Sequence, residues 1–257
     1  METVTSKDGT TIAFDRLGSG PPVVLVCGGS VDRTADAAIA QELASDFTVF
    51  NYDRRGRGDS GDTLPYAIDR EVEDIEAVIG VAGGSAFLWG SSSGAGLALI
   101  ASESVPVTKL ALWEPPFVPD DLPRPPEDQV SQYETMVAEG RRGDAVEYFM
   151  TKIIGMPAEV VAGARTQPWW AATEALAHTL AYDARIMGDY SIPKDLAASV
   201  KVPTMVIAGG ADFPWMRQTA ETLAAALPDG QVSILVGQGH DVDPGVLAPV
   251  LTEFFNA

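Results

Sequence analysis

The stretch Ser85-Ala-Phe-Leu-Trp-Gly90-Ser-Ser92-Ser-Gly94-Ala-Gly-Leu-Ala-Leu-Ile-Ala101 decides the reading of this chain. Its first five residues form a strand pattern that Gly90 stops, and residues 92–103 form a glycine-rich helix pattern. Gly-x-Ser-x-Gly is satisfied in one frame, centred on Ser92, because of the three serines only this one has glycine two positions away on both sides. A strand that turns abruptly into a helix holds its central residue at an unfavourable φ/ψ, and the flanking glycines let neighbouring chain pass without a Cβ clash. The serine then lies at a helix N-terminus, where free N–H groups and the positive dipole end face a developing oxyanion.

Working outward, residues 10–17 alternate as a strand after the turn pair Asp8-Gly9, so the chain opens with a hairpin. Pro21-Pro22 leads into Val23-Val24-Leu25-Val26, the continuous run of a strand buried on both faces of a parallel sheet. A helix over residues 34–45 capped by Thr34, a strand over 47–52, a helix over 70–80 and a strand over 107–113 follow. Beyond residue 200 come a strand over 203–208, a helix over 215–227, a strand over 232–236 and a terminal helix over 246–256. Strands alternating with helices predict an α/β fold with a mostly parallel central sheet and an N-terminal antiparallel hairpin. Between Pro115 and about Val200 the strand signal disappears. A proline-dense opening is followed by helical segments near 127–139, 143–154, 158–165 and 169–181, which predicts an inserted helical cap. The expected organisation is a core of residues 1–116 and 200–257 with a cap at 117–199. Tyr148, Phe149, Met150, Met156, Trp169 and Trp170 are adaptable apolar residues available to a pocket between the two, or to the cap's own packing.

A serine hydroxyl needs a base, most often histidine, and the chain has two. His178 falls inside a helical segment of the cap and reads as structural. His240, in Gly237-Gln-Gly-His-Asp, follows the last strand at the carboxyl edge where α/β sheets place their ligand crevice. The base in turn needs an acid to hold its tautomer. Asp212 ends Val206-Ile-Ala-Gly-Gly-Ala-Asp, just past the preceding strand, and is the expected partner. Glu114, which ends Lys109-Leu-Ala-Leu-Trp-Glu at the same sheet edge, is the alternative acid. Asp241 and Asp243 are expected to cap the last helix.

With the order Ser92, Asp212, His240 in place, the chain resembles, over essentially its whole length, a serine hydrolase of the α/β-hydrolase fold. Tyr52-Asp53-Arg54-Arg55-Gly56-Arg57-Gly58-Asp59-Ser60 is similar to that family's Asp-x-Arg-Gly-x-Gly-x-Ser loop, which shapes the edge of the site. Where the family usually has His-Gly after its first central strand, this chain reads Cys27-Gly28-Gly29-Ser30. The resemblance implies backbone N–H donors of Gly29 and Ser93 in the oxyanion hole, with Ser30 as an alternative to Gly29. Cys27 is expected to be a small buried filler. The resemblance also implies hydrolysis of a small carboxylic ester or lactone through an acyl-enzyme on Ser92. Serine at position 92 argues against haloalkane and epoxide hydrolases, which carry aspartate there. Glu114 resembles, in its place at a strand end, the acid of fungal-toxin lactone hydrolases. An acyl-transfer or ring-forming biosynthetic enzyme, or a catalytically silent small-ligand-binding protein, would share the fold.

Composition narrows the partners. The 257 residues carry 36 acidic against 17 basic side chains, a net charge of −19, and such a field repels phosphate backbones and anionic lipid. The expected partner is a small-molecule substrate, with no nucleic acid and no membrane. One cysteine, Cys27, excludes an intramolecular disulfide and a multi-cysteine zinc site, and fits a reducing compartment. No cofactor and no metal site is expected. The opening residues show no basic or apolar leader pattern, so a cytoplasmic protein is expected.

Overall fold

Val23–Val26 is wholly buried, and its side chains alternate between two apolar layers: Val24 and Val26 pack into one, Val23 and Leu25 into the other. A strand covered on both faces needs helices on both sides of its sheet, and that is how the chain folds. The computed structural model describes residues 1–257. Its eight strands are β1 (Glu2–Thr5), β2 (Thr11–Gly18), β3 (Pro22–Val26), β4 (Thr48–Tyr52), β5 (Ala86–Ser91), β6 (Val107–Trp113), β7 (Thr204–Gly209) and β8 (Gly230–Leu235). They form one sheet in the order β1-β2-β4-β3-β5-β6-β7-β8. β1, β2 and β4 pair antiparallel, and every pair from β4 through β3 to β8 is parallel.

The helices divide between the faces. Flanking the first six strands are α1 (Ala37–Leu43), α2 (Ile68–Val81) and α3 (Ser93–Ala101). Between β6 and β7 lie α4 (Gln129–Ala138), α5 (Arg142–Tyr148), α6 (Ala158–Ala164), α7 (Trp170–Ala175), α8 (Leu180–Met187) and α9 (Lys194–Ser199), and after β7 come α10 (Pro214–Ala226) and α11 (Pro244–Asn256). α1 and α11 cover one face through Ile39, Leu43, Leu247, Leu251, Phe254 and Phe255. α2, α3 and α10 cover the other, with Ile75, Ile79, Leu97, Leu99 and Leu223. The segment between β6 and β7 has a further apolar cluster of its own, with Tyr133, Met136, Val146, Val161, Trp170 and Leu180. Its two ends meet where the Val118 N–H donates to the Tyr190 carbonyl at 2.7 Å. No helix is long and apolar enough to cross a membrane.

Several local expectations are corrected. The hairpin turn has three residues, Lys7-Asp8-Gly9: the Ser6 N–H donates to Thr10 O at 2.8 Å, the Gly9 N–H to Ser6 O at 2.9 Å, and Gly9 takes φ 90°. The helical turn at Arg33–Asp36 is capped by Asp32, whose carboxylate accepts from the Thr34 N–H, rather than by Thr34. The helix expected over 169–181 breaks at the short turn Ala177–Thr179, and α8 and α9 complete the segment. Of the two expected caps of the last helix, Asp243 takes the role, its side chain accepting from the Gly245 N–H, and Asp241 does not.

Candidate active site

Ser92 is where β5 turns into α3, at φ 53° and ψ −126°. A non-glycine residue rarely adopts that conformation, and it persists only where the surroundings over-determine it. Here they do. The Ser92 N–H donates to the Trp113 carbonyl at 2.8 Å. A Cβ at Gly90 would stand 2.5 Å from the Gly94 carbonyl oxygen, and one at Gly94 would collide with the carbonyls of Val26 and Cys27. The motif's glycines are therefore needed for the close approach of three backbone segments. The hydroxyl-bearing turn opens on a cavity of about 700 Å³ that Ser92 and His240 both line.

His240 is presented by the loop after β8, whose carbonyl at residue 240 accepts from Trp113 Nε1 at 3.0 Å. Its Nδ1 lies 2.7 Å from Glu114 Oε2. Glu114 follows β6 at φ 41° and is 1% exposed, and its other oxygen accepts from the Gly209 N–H at 2.7 Å. With Nδ1–H donated to a carboxylate, Nε2 is left with its lone pair for a proton acceptor's role. The His240 side chain is 45% exposed; its partial desolvation lowers the imidazole pKa, but the hydrogen bond and charge of Glu114 outweigh it, and the net shift is upward. The structure thus brings the alternative acid, Glu114, onto His240. Asp212, the acid expected first, lies on the same side of the cavity and accepts from the N–H of Phe213 at 2.6 Å, with no hydrogen bond to His240. Donor atoms of Glu114, Asp212 and His240 lie within 4.8 Å of one another, a spacing a metal ion would accept. Both Glu114 oxygens are engaged by Gly209 and His240, so the set reads as a hydrogen-bonded pair with a neighbouring carboxylate.

Gly29 and Ser93 line the cavity beside Ser92. The Gly29 N–H has no acceptor within the protein. A Cβ at Gly29 would stand 3.3 Å from Ser93 Oγ and 3.1 Å from Asp183 Oδ2, so these three groups converge. Ser30, the alternative donor, takes φ 58° and does not line the cavity. Cys27 is fully buried, and burial pushes its thiol up to about 12, which makes it an inert filler at neutral pH.

Behind this wall the loop at 53–60 buries three arginines. Arg54 pairs with Glu71 through Nε and Nη2, both at 2.8 Å. Arg55 pairs with Asp74 at 2.7 and 2.8 Å. Arg57 pairs with Asp183 at 2.8 and 2.9 Å. Asp183 comes from α8, within the inserted segment, and nothing in the sequence singled it out. Its signal is tertiary, since the partners Arg57 and Ser93 stand 126 and 90 positions away.

The remaining walls are mostly apolar. Val118, Phe149, Ile153, Met187 and Tyr190 come from the inserted segment, and Phe213, Trp215 and Met216 from the loop after β7 and the first turn of α10. Of the apolar residues expected there, Phe149 lines the cavity. Tyr148, Met150, Met156 and Trp170 pack within the inserted segment, and Trp169 is 47% exposed. His178 lies outside the cavity, its Nδ1 2.8 Å from Arg142 Nη2, and burial together with that guanidinium pulls its pKa down.

Against known proteins, a model described as the alpha/beta hydrolase family matches residues 23–250. The structure is similar to that of an alpha/beta hydrolase from Sphaerobacter thermophilus DSM 20745, with 52% identity, TM-score 0.92, and 99% of this chain and 100% of that one covered. It is also similar to a thermophilic esterase from Thermogutta terrifontis, at 25% identity and TM-score 0.76, covering 99% and 97% of the two chains. A protein of Bacillus subtilis (strain 168) named as the uncharacterized hydrolase YraK is 34% identical over 95 residues, a stretch that spans 35% of this chain and 35% of that protein.

Proposed function

The chain belongs to the alpha/beta hydrolase family, and on that premise we propose that it hydrolyses a small carboxylic ester or lactone through an acyl-enzyme on Ser92. The observation that carries this reading is that a strained Ser92, at φ 53°, and a histidine whose Nδ1 is held at 2.7 Å by the buried Glu114 open on one cavity. Ser92 Oγ attacks the substrate carbonyl carbon and gives its proton to His240 Nε2. The carbonyl oxygen becomes an oxyanion, received by the N–H groups of Gly29 and Ser93. Collapse of the tetrahedral species breaks the bond to the leaving oxygen, which takes the proton from His240. Water then adds to the acyl-enzyme by the same proton route in reverse and releases the acid.

Glu114 takes the role of the orienting acid in this scheme, in place of Asp212. Asp212 stands beside the imidazolium as a second negative charge that contributes to its stabilisation. Residues 117–199 act as the cap, closing the apolar side of the cavity over the acyl or alcohol portion. The esterase from Thermogutta terrifontis supports an ester substrate. The mostly apolar walls, with Arg124 and Lys152 among them, support a substrate that is largely apolar around the reacting carbonyl.

Intact-mass labelling with a fluorophosphonate probe tests the reading without a choice of substrate. One adduct per chain is expected in the parent protein and none in Ser92→Ala, followed by turnover on a panel of short esters and lactones. A folded parent that takes no adduct and turns over no member of the panel would sink the proposal.

A further inference from the structure

We propose that Asp183, carried by the inserted helical segment, is the positioning residue of the oxyanion hole and orients both of its donors at once. The inference rests on the assignment of Gly29 and Ser93 as those donors. Asp183 Oδ1 accepts from Ser93 Oγ, Arg54 Nη1 and Arg57 Nη2, each at 2.8 Å, and Oδ2 accepts from Arg57 Nη2 at 2.9 Å. The carboxylate is buried, though it borders the cavity. Two routes lead from it to the reacting centre.

The first is direct. The hydrogen bond to Ser93 Oγ holds the residue whose own N–H is the first of α3 and stands next to Ser92. The second passes through Arg57. While its Nη2 is held by Asp183, its Nη1 donates to the Gly28 carbonyl, and also to Val31 O at 3.3 Å. The peptide unit is planar and trans, so the Gly28 C=O and the Gly29 N–H point in opposite directions. Fixing that carbonyl on Arg57 aims the Gly29 N–H away from the arginine, and that N–H has no acceptor within the protein. Arg54 braces the same loop one residue earlier, its Nη1 lying 3.4 Å from the Cys27 carbonyl oxygen. Burial by itself would raise the Asp183 pKa, but the charges of Arg57 and Arg54 override it and keep the carboxylate ionised. The arrangement thus makes the oxyanion hole complete only when α8 is docked on the core.

The test compares the parent with Asp183→Asn and Ser93→Ala in the full chain, using a short p-nitrophenyl ester and a trifluoromethyl ketone. In the ketone complex Ser92 Oγ bonds to the carbonyl carbon, its proton passes to His240, and the ketone oxygen becomes the oxyanion. Loss of one aimed donor costs on the order of 10²-fold in kcat. Asp183→Asn is therefore expected to lower kcat on the order of 10²-fold and weaken ketone inhibition by the same factor, with KM and the acid limb of the pH profile held. Ser93→Ala, which removes a single hydrogen bond and should fold even if Asp183→Asn does not, is expected to lower both quantities together by a smaller factor. A merely structural role would not make kcat and ketone affinity fall in parallel at constant KM. Parent-like kcat and ketone affinity in the folded variants would overturn the inference while the hydrolase reading stands. A parent that neither labels with fluorophosphonate nor turns over esters would overturn both.

Discussion

Glu114 and Asp212 both sit within reach of His240, but only Glu114 is buried and hydrogen-bonded to it. A carboxylate that fixes the imidazole tautomer contributes far more than a charge alongside, and its loss in comparable triads costs about 10⁴-fold in kcat. Glu114→Gln is expected to lower kcat by about 10³ to 10⁴-fold, and Asp212→Asn by less than about tenfold, as suits a half-exposed charge. The two also separate in pH. The base must be neutral to accept the serine proton, and the net effect of Glu114 is to raise the His240 pKa above its ordinary value near 6.5. Activity should therefore fall as the pH drops through a value above 6.5 in the parent, and through a lower one in Glu114→Gln. An unmoved acid limb in that variant would remove Glu114 from the role. Both acids were visible in the sequence as strand-end carboxylates at one sheet edge. Choosing between them needed the side-chain geometry, because chain order alone does not say which loop folds back on the histidine.

At the scale of elements, the loop at 53–60 shows how a sequence motif becomes a support. Its three arginines have side chains at most about 2% exposed, and each is matched by a carboxylate from another element: Glu71 and Asp74 from α2, and Asp183 from α8. Arg55 also reaches Asp8 at 3.0 Å and the Arg70 carbonyl at 3.1 Å, which ties the first hairpin to α2. Removing one partner of a buried pair leaves an uncompensated charge and costs about 3–5 kcal/mol, whereas replacing both with apolar groups is often neutral. Arg55→Ala is accordingly expected to lose about 3–5 kcal/mol in urea unfolding, and the double change Arg55→Met with Asp74→Leu much less. Equal losses in the two would show that the pair is not what braces the loop. The motif was recognisable from its glycines and arginines. The identity of the carboxylates was not, because a buried ion pair leaves no periodic trace in the sequence.

The whole molecule carries a net charge of −19, and its field acts on any charged substrate approaching the cavity. Between about 10 mM and 300 mM salt the screening length falls from about 30 Å to well below 10 Å. The kcat/KM for an ester bearing a carboxylate should therefore rise several-fold over that range, while that for a neutral ester of the same size stays nearly constant. A carboxylate ester that gains nothing from salt would show that the cations at the cavity wall, Arg124 and Lys152, outweigh the global field.

The sequence by itself determined the parallel sheet, the strained serine turn and the histidine at the sheet's carboxyl edge. Those features follow from local rules: β-branched runs that must be buried on both faces, glycines where backbones must approach, and loops that follow strands. The helical, strand-free stretch between β6 and β7 was legible too, since a proline-dense opening and the loss of strand pattern are local signals. The tertiary structure alone decided that Glu114 holds His240, that α8 returns Asp183 to the serine turn, and that Met187 and Tyr190 join Phe149 in the cavity wall. Each of these depends on side chains from distant parts of the chain meeting at one point. Such meetings are set by how whole elements pack, and elements with the same residue periodicity can pack in more than one way.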